Sequence, residues 1–186
     1  MATEKRLLDD LDAQSSLAWT SESNAFVEDD NYASSASLYT VGEYVGGDFQ
    51  AITQTPTSFT SFYVRFFDIN SDHSNDTYIM RFYNLDSEGW IDLETFNSGN
   101  LLPTSLTTKD YTLTLSTYYA AAANKTSWLN SLAFRLTHTI KVLGDDRPEI
   151  GLAWAYFVYD YTPSADTQLD YERSHRGVAR GANRGS

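Results

Sequence analysis

The chain has no cysteine in its 186 residues. That excludes a disulfide framework, a thiolate metal site and a cysteine nucleophile, and leaves the fold to be held by its core alone. No segment approaches the ~20 apolar residues of a membrane-crossing helix. Near the N-terminus Leu7, Leu8 and Leu11 are interleaved with Asp9, Asp10 and Asp12, so the unbroken apolar stretch of about 7–15 residues that a signal peptide needs is missing. The expectation is a chain without a membrane partner, made and kept in the cytoplasm or leaving it by assembly or lysis. Bases are scarce too: 13 Lys and Arg stand against 25 Asp and Glu, a formal charge of −12. A field of that sign repels nucleic acid, which is not an expected partner for the body of the protein. Catalytic signatures are missing as well. The sequence has no Gly-x-Ser-x-Gly elbow and no His-Glu-x-x-His, and Gly46-Gly47 is not followed by the Lys-Ser/Thr of a phosphate loop. The chain reads as a protein that is not an enzyme.

Aromatic residues are what the chain has in excess, at 15%, with thirteen Tyr and ten Phe. These residues favour pleated, half-buried surfaces. Alternation of apolar and polar positions confirms the leaning, because a two-residue period puts one set of side chains in a core and the other on a second surface. It runs through residues 59–69, 77–85, 90–96, 111–116, 132–142 and 150–161. In the last of these, Ile150, Leu152, Trp154, Tyr156 and Val158 share one face, with Gly151, Ala153 and Ala155 on the other. Residues 118–131, with Ala120–Ala123 ahead of Trp128 and Leu129, predict a short helix crossing one end of the sheets. The fold class expected is all-β, an antiparallel β-sandwich of jelly-roll-like kind with extended N- and C-terminal arms. Residues 1–16 are expected to be an arm or one or two helical turns. Residues 17–163 form the sandwich domain, and residues 164–186 a C-terminal basic tail.

The stretch from Trp19 to Ala33 resembles a pattern found in structural domains of phage virions, where a Trp is followed by Asn-Ala, an acidic turn and Tyr-Ala. Asn24-Ala25, Asp29-Asp30 and Tyr32-Ala33 match it, whereas the Pro after the Trp and the Gly of the turn have no counterpart here. The resemblance implies a jelly-roll-like module of the particle: a capsid decoration, head–tail or tail-associated subunit, synthesised in the host cytoplasm. Its partners would be other virion proteins, including further copies of itself. It implies no activity. A second reading from another class is a carbohydrate-binding or receptor-binding module of a phage fibre, with Tyr118, Tyr119, Trp128, Tyr159 and Tyr161 as rings on which sugars stack, provided they are exposed.

Three further groups are candidate sites. Arg173, Arg176, Arg180 and Arg184 lie in the last fourteen residues, which contain no acid; residues 1–172 then hold nine bases against 25 acids, a charge of −16 against +4 for the tail. Such a tail suits subunit contact, each guanidinium pairing with a carboxylate of a neighbour. Asp68, Asn70, Asp72 and Asp76 alternate as in a calcium-binding loop, but His73 stands where a Gly is needed and Ile79 where a bidentate Glu is needed. A solvated hairpin loop is the competing expectation, and calcium is the one cofactor the sequence suggests. His138 falls on the apolar face of its strand, the place of a satisfied core or edge histidine. Asp92 and Glu94 beside Trp90 are the carboxylate pair to test for glycoside hydrolysis, against the simpler reading of a solvated strand face.

Overall fold

A computed structural model describes residues 1–71, 75–142 and 146–163. In chain order the strands are β1 (Ala2–Asp10), β2 (Trp19–Thr20), β3 (Ala33–Ser35), β4 (Tyr44–Phe49), β5 (Pro56–Asp68), β6 (Thr77–Asn84), β7 (Gly89–Phe96) and β8 (Thr107–Asp110). Helices α1 (Thr112–Ala121) and α2 (Lys125–Asn130) follow, then β9 (Ala133–Ile140) and β10 (Ile150–Tyr161). The fold is all-β and every strand pairing is antiparallel. One sheet is built on the long pair β5–β10, with β8 on the far edge of β5 and both β1 and β3 along the other edge of β10. The second runs β1-β4-β9-β6-β7. Strand β1 belongs to both. Its first six residues pair with β10, and Leu8 and Asp10 pair with β4.

The sheets face each other through aromatic rings. Phe49 of β4 meets Phe62 of β5 at 5.6 Å and Phe157 of β10 at 5.4 Å, both edge-on, and Phe66 of β5 meets Phe96 of β7 at 5.9 Å. A polar tie joins their edges. Glu94 of β7 accepts hydrogen bonds from Lys109 Nζ of β8 at 2.7 Å and from the Tyr111 hydroxyl at 2.8 Å. Burial alone would raise the Glu94 carboxyl, but these donors and Asn100 outweigh it and hold it below its ordinary range.

Three expectations need correction. Residues 2–10 are neither arm nor helix. They form a strand whose inward positions include Glu4 and Arg6, which bond to each other, while Glu4 also accepts from the Tyr159 hydroxyl and from Thr53. Residues 111–116 alternate in sequence yet begin α1. The buried positions Tyr111, Leu115, Tyr119 and Ala122 repeat at helical spacing, and Leu113, which a strand would have buried, is 85% exposed. In β10 the predicted faces exchange part-way. A bulge between Leu152 and Trp154 leaves Ile150 and Leu152 in the core, but sends Phe157 and Tyr159 inward in place of Tyr156 and Val158. The helix expected within residues 118–131 is present. Asn124 caps α2 by accepting from the Ser127 amide at 3.0 Å, and Lys125 donates to the last carbonyls of α1.

Candidate functional site

The second sheet buries Val45, Phe49, Met80, Phe82, Phe134 and Leu136 on its inner face. Alternation therefore brings a different set to its outer face. Arg135 of β9 lies opposite Gly46 of β4 on one side and Arg81 of β6 on the other, and Arg81 lies opposite Asp92 of β7. One row along, Asp48 is opposite Ala133, and Tyr83 is opposite Trp90. Strand β1 adds Asp10 directly across from Asp48.

Geometry on this face is held by stacking. The Arg135 guanidinium sits 3.9 Å from the centre of the Trp90 ring and 4.7 Å from that of Tyr44, a cation between two rings. Gly46 lets β4 approach β9 closely beneath it: a Cβ at that position would come within 2.0 Å of the Phe134 carbonyl oxygen and 2.6 Å of Arg135 Cα. Burial, and then neighbouring Arg81, hold the Arg135 pKa below its usual value. Arg81 donates from Nε to Asp92 Oδ1 at 2.7 Å. Trp90 and Tyr83 meet edge-on at 5.7 Å.

Next to this stack is an open groove of about 560 Å³, lined by Tyr83, Trp90, Asp48, Asp10, Gln14 and Asn130 among others. No Lys, Arg or His is among the described residues that line it. Asp48 is half-buried, and its pKa is raised above the ordinary 3.8 by burial first and by Asp10 as well, against a hydrogen bond from Gln14 that lowers it. A raised folded-state value means that ionising Asp48 works against folding, a cost absent below pH 3.8 and complete once the pH has passed the folded pKa. The variant Asp48→Asn is therefore expected to melt above the parent at pH 7. The gap should close as the pH falls through the Asp48 transition, which thermal melts across pH 3–7 would follow.

The residues singled out from sequence fall differently. Among the proposed sugar-stacking rings, Trp128, Tyr119 and Tyr159 are buried, with Trp128 Nε1 donating to Asn84 Oδ1 at 2.8 Å. Tyr118 packs edge-on against Phe82 at 5.1 Å, and Tyr161 lies beside Tyr159. These five fill the interior and its margin, so they are not an exposed platform. Among the calcium candidates, Asp68 and Asp76 are buried, and Asn70 is tied through Nδ2 to the Arg147 carbonyl at 2.7 Å. Asp76 accepts from the Val142 amide at 2.7 Å and lies 3.1 Å from His138 Nε2. Asp72 is outside the described residues, and no group of three or more His, Asp or Glu among the described residues is placed to hold a metal. His138 is a fully buried core residue stacked on Tyr78. Asp92 and Glu94 are each engaged, by Arg81 and by Lys109 with Tyr111, and neither lines the groove. Arg173, Arg176, Arg180 and Arg184 lie outside the described residues.

Sequence reasoning missed Asp10, Asp48, Tyr83, Trp90 and Arg135 as a set. Only their strand alternation and the Gly46-Gly47 pair hinted at them, since glycines inside a strand mark a close approach of another group. No protein-family model matches the chain, and no curated protein matches it either.

Proposed function

We propose that the chain is a structural protein of a phage virion, a β-sandwich subunit of the capsid decoration, head–tail or tail-associated kind that acts through protein–protein contacts and without catalysis. The observation that carries this reading is the Trp19–Ala33 segment. Trp19 is buried and donates from Nε1 to Ser15 Oγ at 2.7 Å. Asn24 donates to the Tyr32 carbonyl at 3.1 Å, Asp29 accepts from the Asn31 amide at 2.8 Å, and Ala25 and Ala33 are fully buried. These residues hold the segment to the fold, and its resemblance to virion modules is what supports the reading.

Charge supports the same reading. A body at −16 and a tail at +4 on one chain are complementary between copies. The test is the solution mass by light scattering of the full chain and of a chain ending at Glu172, at low and high salt. The full chain is expected to form a salt-sensitive oligomer and the shortened one a monomer. Monomers throughout, together with no binding to purified virus particles, would overturn the proposal.

A further inference from the structure

We propose that the groove on the outer face of the second sheet binds a neutral saccharide, held by Asp48, Asp10, Gln14 and Asn130 and resting against Tyr83 and Trp90. This goes beyond the assembly reading and does not depend on it.

The lining decides the ligand class by elimination. Phosphate, sulfate or carboxylate groups would meet Asp9, Asp10 and Asp48 with no cation in the described lining to offset them. An apolar ligand would strand those carboxylates and the Gln14 and Asn130 amides without partners. A bare metal ion would use the carboxylates and have no use for two aromatic rings. A sugar uses both. Its hydroxyls donate to carboxylate oxygens and exchange hydrogen bonds with amides, while its C–H faces lie on rings. The volume of about 560 Å³ lies inside the range of roughly 300–1,000 Å³ usual for small-molecule sites.

Two features of the groove are costly for folding alone. Asp10 and Asp48 stand directly opposite on paired strands, where like charges repel. Asp48 is also partly desolvated, which its raised pKa reflects. Hydroxyl donors from a ligand would relieve both. The frame is rigid as well, because Asp48, Tyr83 and Trp90 stand on strands and Arg135 pins the Trp90 ring. A site already set in its bound geometry loses little entropy on binding. The aromatic residues proposed from sequence for sugar stacking lie in the interior or at its margin. The rings that line the groove are different ones, so the saccharide site is a new assignment.

The test uses the full chain on an array of neutral, sialylated and sulfated glycans, followed by titration calorimetry with the retained glycan as a free oligosaccharide. Neutral glycans are expected to be retained. Trp90→Ala and Asp48→Ala should each weaken binding at least tenfold with an unchanged circular dichroism spectrum, while Tyr32→Ala, in the loop before β3 and packed on Phe67, leaves it intact. Should Trp90→Ala fail to fold, Trp90→Phe keeps a ring and should retain most of the affinity, and Asp48→Ala still decides the matter. Retention of anionic glycans alone, calcium binding without any glycan, or a neutral glycan indifferent to both groove variants would each overturn the proposal. None of those outcomes bears on oligomer formation, which light scattering reads separately.

Discussion

Gly46→Ala is expected to be among the most damaging single substitutions in this protein, although it adds one methyl group to a strand. The added carbon would come within 2.0 Å of the Phe134 carbonyl oxygen and 2.6 Å of Arg135 Cα. Both are backbone atoms of the paired strand, so no side-chain rotation can relieve the clash. Strand β4 must separate from β9, and with it goes the pairing Val45–Leu136 and Gly47–Phe134 that carries core residues. Ordinary overpacking costs about 1–3 kcal/mol, and a backbone collision belongs at or above the top of that range. For a chain of this length each kcal/mol is worth roughly 2–4 °C in melting temperature, so a fall of at least about 6–12 °C is expected. The measurement is a thermal melt followed by circular dichroism. A melting temperature within 2–3 °C of the parent, on the same scale, would show that Gly46 has more room than its neighbours leave it. Gly99→Ala is the matched comparison, since its nearest neighbour there is an Asn97 side-chain oxygen at 3.4 Å.

The fold class was legible because it rests on a repeated signal. Strands β5, β6, β7, β9 and β10 are each at least eight residues long and alternate over part of that length, so the pattern survives individual exceptions. What was not legible shares one physical cause: a local period overruled by a distant partner. Strand β1 hides its alternation because two of its inward positions are Glu4 and Arg6, acceptable there only because they bond to each other and Glu4 also meets Tyr159 and Thr53. In α1 the sequence Tyr-Thr-Leu-Thr-Leu-Ser fits a two-residue period, and only the next turn, with Tyr119 and Ala122 under Leu115, reveals the helical one. The bulge in β10 leaves no mark in sequence, yet a shift of one residue moved Tyr159 from a supposed sugar platform into the core. The groove was hidden for a similar reason. Asp10, Asp48, Tyr83 and Trp90 come from four separate strands, and nothing short of the register places them together.

Trp128→Ala is the second change expected to have a large effect, and it separates the two kinds of tryptophan in this molecule. Trp128 is 1% exposed. Its ring meets Phe59 of β5 at 6.3 Å, Phe82 of β6 at 6.1 Å and Tyr119 of α1 at 5.9 Å, so α2 plugs one end of the space between the sheets. Truncating a buried Trp costs about 3–5 kcal/mol, or roughly 6–20 °C at this chain length. Trp128→Phe isolates the polar part, because it fills most of the space but removes the donor to Asn84 Oδ1. Leaving that buried acceptor without its partner should cost about 1–3 kcal/mol. Urea unfolding of both variants gives the two costs directly. If Trp128→Phe matches the parent, the Asn84 bond contributes nothing and α2 is held by ring packing alone. Trp90 should behave in the opposite sense: its ring is only partly buried on the outer face, so Trp90→Ala should change the melting temperature far less than Trp128→Ala. A protein in which one tryptophan governs stability and another governs glycan retention has its binding face separate from its core. If both variants lose stability equally, Trp90 is a packing residue and the groove loses its aromatic wall as a recognition element.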